Sequence, residues 1–213
     1  MSFSERVSHL ARRLRARYRS QGLSGLAAFL GTRIFQRRED LLYELRLDDS
    51  PLSRLGEPLA DVVVVGRDNL GSDVTDSIER QILEGENLAY VAGLKGDDLM
   101  FAHVDHQGRI DTYAFVLFDT QYKRVLRVAR ATPLIGNCYT RPERRGRGLY
   151  PGMLRTVSID LARRGFRTVT VSCAPDNLSS IKGIERAGFR LMSRITTWVL
   201  LSRIILWHRC ESS

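Results

Sequence analysis

The segment from residue 132 to 189 limits the possible folds more than any other part of the chain. Residues 132–139 (TPLIGNCY) have the length and apolar content of a strand, and they open directly onto Thr140-Arg141-Pro142-Glu143-Arg144-Arg145-Gly146-Arg147-Gly148. Residues 149–164 then set Leu154, Val157, Ile159, Leu161 and Ala162 on the apolar face of a helix, and Gly165 supplies its stop. Pro151 is tolerated because it falls in the first turn, where its missing N–H would be unpaired anyway. Residues 168–172 (TVTVS) read as a strand, a helix follows Asn177 and ends at Ala187-Gly188, and residues 189–201 alternate as another strand. Strand, helix and strand in this order imply a βαβ unit with parallel strands and a right-handed crossover.

The front half has a different rhythm. Residues 61–66 (DVVVVG) are a β-branched strand, and residues 71–85 place Val74, Ile78, Ile82 and Leu83 at helical spacing behind Ser72 or Asp73 as cap. Two runs, 88–94 and 99–104, flank Lys95-Gly96-Asp97-Asp98, which is hairpin chemistry. A further apolar run, 113–118 (YAFVLF), follows the Gln107-Gly108 turn, and residues 122–130 have no clear period. An antiparallel front and a parallel back give an α/β fold on a mixed, mainly antiparallel sheet with a C-terminal βαβ unit. Upstream, residues 39–47 (EDLLYELRL) continue as helix or enter a strand, and the polar turns of 48–58 read as a linker. The expected domains are therefore a basic, partly amphipathic helical extension over 1–58 and a catalytic domain over 59–213.

Residues 5–19 read as an arginine-rich helix with Val7, Leu10, Leu14 and Tyr18 down one side, and residues 23–35 as a more apolar one. This pair either rests on an anionic bilayer through residues 5–35 or packs within the molecule or against a second copy in a homodimer. The apolar stretch 198–207 (WVLLSRIILW) is either a buried strand or part of a dimer or lipid-facing surface. The formal charge of +9 attracts polyanions in general, but no zinc-finger spacing, helix-turn-helix or aromatic-studded RNA-binding signature accompanies it, so nucleic acid is disfavoured as a partner. No apolar run reaches the roughly 18 residues of a membrane-spanning helix, and the N-terminus lacks the apolar core and cleavage site of a secretory signal. Cys138, Cys173 and Cys210 lack metal-ligand spacing and read as reduced thiols. The expected location is cytoplasmic, with a peripheral position at the inner membrane face as the alternative, and no metal is expected.

The loop at 140–148 has its own chemistry. Glycines at 146 and 148 let the backbone turn so that consecutive N–H groups point at one anion, and the helix start adds unpaired donors and the positive end of its dipole. Nearby arginines add positive field. The segment is thus built as a diphosphate cradle, or else it is an exposed basic loop capped by glycines. It is neither a nucleotide P-loop, lacking Gly-Lys-Ser/Thr, nor a three-glycine dinucleotide fingerprint.

Residues 140–150, the helix and TVTV strand after them, Asn177, Ser180 and the closing Glu185-Arg186-Ala187-Gly188-Phe189 together resemble the GCN5-related N-acetyltransferase (GNAT) superfamily. The resemblance is most specific from 130 to 190; from 60 to 130 it rests on the order of elements, and 1–58 lie outside it. It implies an acyltransferase fold in which the Gln/Arg, two residues, Gly, one residue, Gly/Ala motif binds the pyrophosphate of coenzyme A. Arg145 falls at the opening position, Gly146 and Arg147 fill the variable pair, Gly148 is the required glycine, and Tyr150 stands where glycine or alanine is usual. A Tyr150 side chain directed outward would leave its backbone N–H free for the phosphates. The resemblance also assigns Thr140 and Leu149 to the coenzyme A site. It makes Asn177 and Ser180 polar contacts to the pantetheine arm, while Asp176 or Asn177 reads equally as the helix cap, and the two roles can coexist.

By the same resemblance, the strands at 132–139 and 168–172 splay apart to admit the arm. Backbone near Cys138 or Tyr139 then donates a hydrogen bond to the thioester carbonyl. Many members carry a proton-donating tyrosine four residues before the closing glycine, but here that position is Ile184. Tyr139 or Tyr150 is left as the phenol, and Asn137 and Tyr139 are the candidate catalytic pair. Asp111, His103 and His106 are further candidate bases, the histidines because a neutral imidazole can accept a proton. Cys138 and Cys173 read as packing residues.

The expected activity is transfer of an acetyl or other short acyl group from acyl-coenzyme A, as co-substrate, to an amine or hydroxyl of a small-molecule, sugar or lipid-linked acceptor. The alternatives are a non-catalytic acyl-coenzyme A-binding regulatory domain and a protein N-acetyltransferase.

Overall fold

The computed structural model describes residues 35–48, 55–66, 78, 81, 94, 96–200 and 204–212. The expected helices at 5–19 and, apart from Phe35, at 23–35 lie outside them, as do the strand at 88–94 apart from Leu94 and most of the 71–85 helix, of which Ile78 and Gln81 are helical. The described residues fall into two compact units, one within 40–195 and 211–212 and the other within 35–39, 196–200 and 204–210. The larger unit contains everything that positions the site. Among the described residues no helix is long and apolar enough to cross a membrane.

The strands are β1 (Phe35–Arg46), β2 (Val62–Gly66), β3 (Leu99–Val104), β4 (Ile110–Leu117), β5 (Leu134–Thr140), β6 (Thr168–Cys173), β7 (Arg190–Leu200) and β8 (Ile204–Ser212). The helices are α1 (Gln121–Val125), α2 (Leu149–Arg163) and α3 (Leu178–Arg186). The strand order within the larger unit is β2-β3-β4-β5-β6-β1-β7. The β2/β3, β3/β4, β4/β5 and β1/β6 pairs are antiparallel, and β5/β6 is parallel. The sheet is therefore mixed and mainly antiparallel. The parallel strands in direct contact are β5 and β6, joined by α2, whereas β6 and β7, joined by α3, have β1 between them. The aperiodic stretch at 122–130 begins as the short helix α1, capped by the Thr120 hydroxyl accepting from the Tyr122 N–H.

Residues 39–47, readable as helix or strand, belong to β1 and the bend after it. Successive side chains on a strand point to opposite faces. Leu41, Tyr43 and Leu45 accordingly pack with Leu47 into the core under α2, beside Met153, Leu154, Val157 and Leu161. Leu42 points the other way, onto Leu126, Leu134 and Ile195. Because β1 is covered on both faces, its apolar residues run consecutively instead of alternating, which is why its period is ambiguous in the sequence.

The α2 helix packs on the sheet through residues at helical spacing and is buttressed at its start by Leu59, whose N–H donates to the Thr156 hydroxyl at 2.8 Å. Gly152 accommodates this approach, since a Cβ there would come within 2.9 Å of Leu59 Cδ2.

Candidate active site

Strand β5 opens the site. Opposite it, Phe115 pairs with Gly136 and Tyr113 with Tyr139, so Ala114 faces two residues, Asn137 and Cys138. This is a β-bulge, which removes one residue from the ladder and bends the strand, and Asn137 adopts the left-handed backbone it requires at φ +49°. The bulge exposes Asn137. Tyr139 is exposed too, its ring stacked on Tyr113 with centroids 5.3 Å apart. On its other edge β5 pairs with β6 only at Leu134/Thr170 and Ile135/Val171. Beyond Ile135 the two strands part company.

After β5 the chain makes a 3₁₀ turn (Pro142–Arg144), and then Gly146 and Gly148 both take left-handed φ of +77°. A Cβ on either would meet nothing within 4 Å, so glycine serves here for its backbone conformation and not for space. Gly148 is the N-cap of α2 and no side chain caps the helix, so the Leu149 and Tyr150 N–H groups have no partner within it.

The arginines of the loop separate into two groups. The Arg141 guanidinium hydrogen-bonds the Asp111 carboxylate and lies 3.3 Å from Asp105 Oδ2, and Arg144 Nε donates to Asp111 Oδ1 at 3.1 Å. These two are neutralised by carboxylates from the β3–β4 turn and β4, and they fasten the loop to the sheet. Arg145 is held through Nε by the Thr140 carbonyl at 3.0 Å and stands at the cavity. Arg147 is exposed and faces a separate recess, with Arg109, Arg141, Glu143 and Arg144.

A cavity of about 480 Å³ is lined by Cys138, Tyr139 and Thr140 from β5, by Gly146 and Gly148 from the loop, and by Leu149 and Tyr150 from α2. Arg144, Arg145 and Pro151 complete that side, and the far wall is α3, with Ser179, Ser180, Lys182, Gly183 and Arg186. Most of the residues singled out from the sequence therefore converge on one cavity, while Asn137, Arg147 and Asn177 lie outside its lining. Asn177 caps α3, accepting from the Ser180 N–H at 3.1 Å and the Ser179 hydroxyl at 2.9 Å.

The α3 wall went unread apart from Ser180. Its signal was the spacing of Ser179, Lys182, Gly183 and Arg186, which gathers small and basic residues on one helical face opposite the buried Ile184. Lys182 and Arg186 supply positive charge that the loop loses through Arg141 and Arg144.

Tyr150 does not point outward. It reaches back across the cleft, and its ring lies against Gly183, where a Cβ would approach Tyr150 Cε1 to 2.8 Å. Burial raises the Tyr150 hydroxyl far above its ordinary range, with the Cys138 and Cys173 thiols adding to the effect and the Ser180 hydroxyl opposing it. Burial likewise pushes the Cys138 thiol up to about 12 and the Cys173 thiol to about 11. Both stay protonated near neutrality, as packing residues do. Ile184 is wholly buried.

The other candidate bases are elsewhere. Asp111 is committed to Arg141 and Arg144, His103 Nδ1 sits 3.8 Å from Asp111 Oδ2, and His106 lies exposed in the turn. None of the three lines the cavity. Among the described residues no group of three or more His, Cys, Asp or Glu is placed to hold a metal ion.

No protein-family profile matches this sequence, and no curated protein does. Among solved structures, the fold is similar to that of a GNAT-family protein from Novosphingobium aromaticivorans, with a TM-score of 0.51 and 20% identity over 76% of this chain and 65% of that one. It is also similar to a Drosophila protein of known structure, with a TM-score of 0.50 and 17% identity over 85% of this chain and 57% of that one. The chain thus spans less than two thirds of either relative, and it carries the GNAT fold.

Proposed function

We propose that the chain is an acyltransferase that moves an acetyl or other short acyl group from acyl-coenzyme A directly to an amine or hydroxyl. The observation that carries this reading is the cavity at the start of α2, where two left-handed glycines, an uncapped helix end and Arg145, Lys182 and Arg186 surround one space. Such a space suits a diphosphate, because backbone N–H donors and the helix dipole stabilise negative charge without needing to reorganise.

With the diphosphate there, the thioester arm extends along β5 toward the bulge. Backbone N–H at Cys138–Tyr139 then donates to the thioester carbonyl, more strongly as that oxygen gains charge in the tetrahedral intermediate. The acceptor's lone pair forms the new bond to the carbonyl carbon, the C–S bond breaks, and the thiolate takes a proton while the acceptor loses one. Asn137, exposed on the bulge, orients the acceptor, and Tyr139 is the phenol nearest the open face. A sugar or lipid-linked amine is the favoured acceptor, since a chain of charge +9 repels lysine-rich tails.

Calorimetry with acetyl-coenzyme A on the wild type and on Gly148→Glu tests the donor site. The variant puts bulk, negative charge and a strained left-handed backbone at the cap. Micromolar binding to the wild type, weakened at least tenfold (about 1.4 kcal/mol) in the variant, is the expected result. Equal binding by both proteins refutes the assignment.

One observation favours a second reading, a domain that binds acyl-coenzyme A without turnover. Ile184, where related enzymes keep a proton donor, is sealed in the core. Release of free thiol on adding a panel of amines separates the two readings.

A further inference from the structure

On β5 the cavity reaches back only to Cys138, beyond the last β5–β6 pair at Ile135/Val171, and no residue of β6 lines it. Parallel strands that separate leave backbone groups without partners and a slot between them, so something must fill that space or water enters it. Tyr150 is what reaches it. From the first turn of α2 the ring crosses to α3, lies close enough to Gly183 to leave no room for a Cβ, and joins Cys138, Cys173 and Ile181 at the margin of the main core. Its hydroxyl is close enough to the thiols of both diverging strands, Cys138 on β5 and Cys173 on β6, and to the Ser180 hydroxyl, for each to affect its titration.

This arrangement separates the two halves of a donor molecule. The diphosphate end meets an open cavity, whereas the extended arm meets a phenol ring. The ring is held by packing and by hydrogen bonds of its hydroxyl with Ser180 and Cys138. A side-chain rotation at Tyr150 would therefore open the slot while leaving the loop and the helix start unchanged.

We propose that Tyr150 is a plug in the slot between β5 and β6, so that the donor binds by its diphosphate end first and its thioester arm enters only when the ring swings out. The inference rests on the donor-site reading above and adds to it the residue that decides how far a ligand penetrates.

The test is calorimetry on the full chain with two ligands, acetyl-coenzyme A and its armless fragment, adenosine 3′-phosphate 5′-diphosphate. In the wild type the two should bind within about threefold of one another, because opening the slot offsets what the arm gains. Tyr150→Ala should raise acetyl-coenzyme A affinity about tenfold and leave the fragment unchanged. Tyr150→Phe, which keeps the ring and loses only the hydroxyl and its hydrogen bonds, should gain far less than Tyr150→Ala. Tyr150→Leu takes the place of the alanine variant if the latter melts early.

A wild type that binds acetyl-coenzyme A far more tightly than the fragment, with no gain on shortening Tyr150, overturns the plug and leaves the donor site standing. A phenylalanine variant that gains as much as the alanine one also overturns it. Failure of both ligands to bind every folded variant removes the donor-site reading, and the plug with it.

Discussion

The contact between Tyr150 and Gly183 sets two effects against each other at a single residue. Helix propensity alone favours alanine over glycine inside α3 by about 1 kcal/mol. A Cβ at 183, however, would run into the Tyr150 ring, and overfilling a packed site costs about 1–3 kcal/mol. Gly183→Ala should therefore destabilise the wild type and stabilise a Tyr150→Ala background, a change of sign that urea unfolding of the four proteins would show. The same cost in both backgrounds would mean that the ring does not rest on Gly183. Neither partner was marked in the sequence as belonging with the other. In the sequence, Tyr150 stands out as a large residue where a small one is usual and as a candidate phenol, whereas nothing singles out Gly183.

At the scale of the element, the loop between β5 and α2 is held by the β3–β4 turn. Asp105 accepts from the N–H groups of Gln107 and Arg109, each at 2.9 Å, and its carboxylate also reaches the Arg141 guanidinium. The Arg109 N–H foremost, then the Gln107 N–H and Arg141, hold the Asp105 carboxyl well below the usual carboxylate range against the opposing effect of burial. A carboxyl depressed in the folded state contributes stability that is fully present above its unfolded value, about 3.9, and is lost as the pH falls below it. The melting temperature should thus decline as the pH drops below about 4, and Asp105→Asn should flatten that decline. Melting curves from pH 3 to 6 decide it, since superimposable acid limbs in the two proteins would exclude Asp105 as a contributor.

The glycine spacing of this loop was legible because left-handed backbone is a local demand. Which of its arginines are already paired with carboxylates was not, because Asp105 and Asp111 reach Arg141 and Arg144 from another hairpin.

For the whole molecule, the strand between β6 and β7 matters most. β1 comes from upstream of the stretch read as the catalytic domain, yet it pairs with β6 from Leu41/Cys173 to Arg46/Thr168 and puts Tyr43 and Leu45 into the core under α2. Leu45→Ala should then cost about 2–5 kcal/mol in urea unfolding, the range for emptying a buried leucine site. A loss below about 0.5 kcal/mol, typical of a surface substitution, would contradict its place in the core.

Sequence by itself determined what depends on neighbours along the chain. The strands β2 to β7, the helices α2 and α3, the turn at Gly146–Gly148, the cap at Asn177 and the stop at Gly165 each follow from a short-range period or a backbone angle that few residues adopt. The tertiary structure alone decided where β1 inserts, which arginines are neutralised, that α3 forms the far wall of the cavity, and that Tyr150 packs against Gly183 instead of pointing outward. Those outcomes depend on contacts between residues far apart in the chain, where packing and charge pairing override local preference.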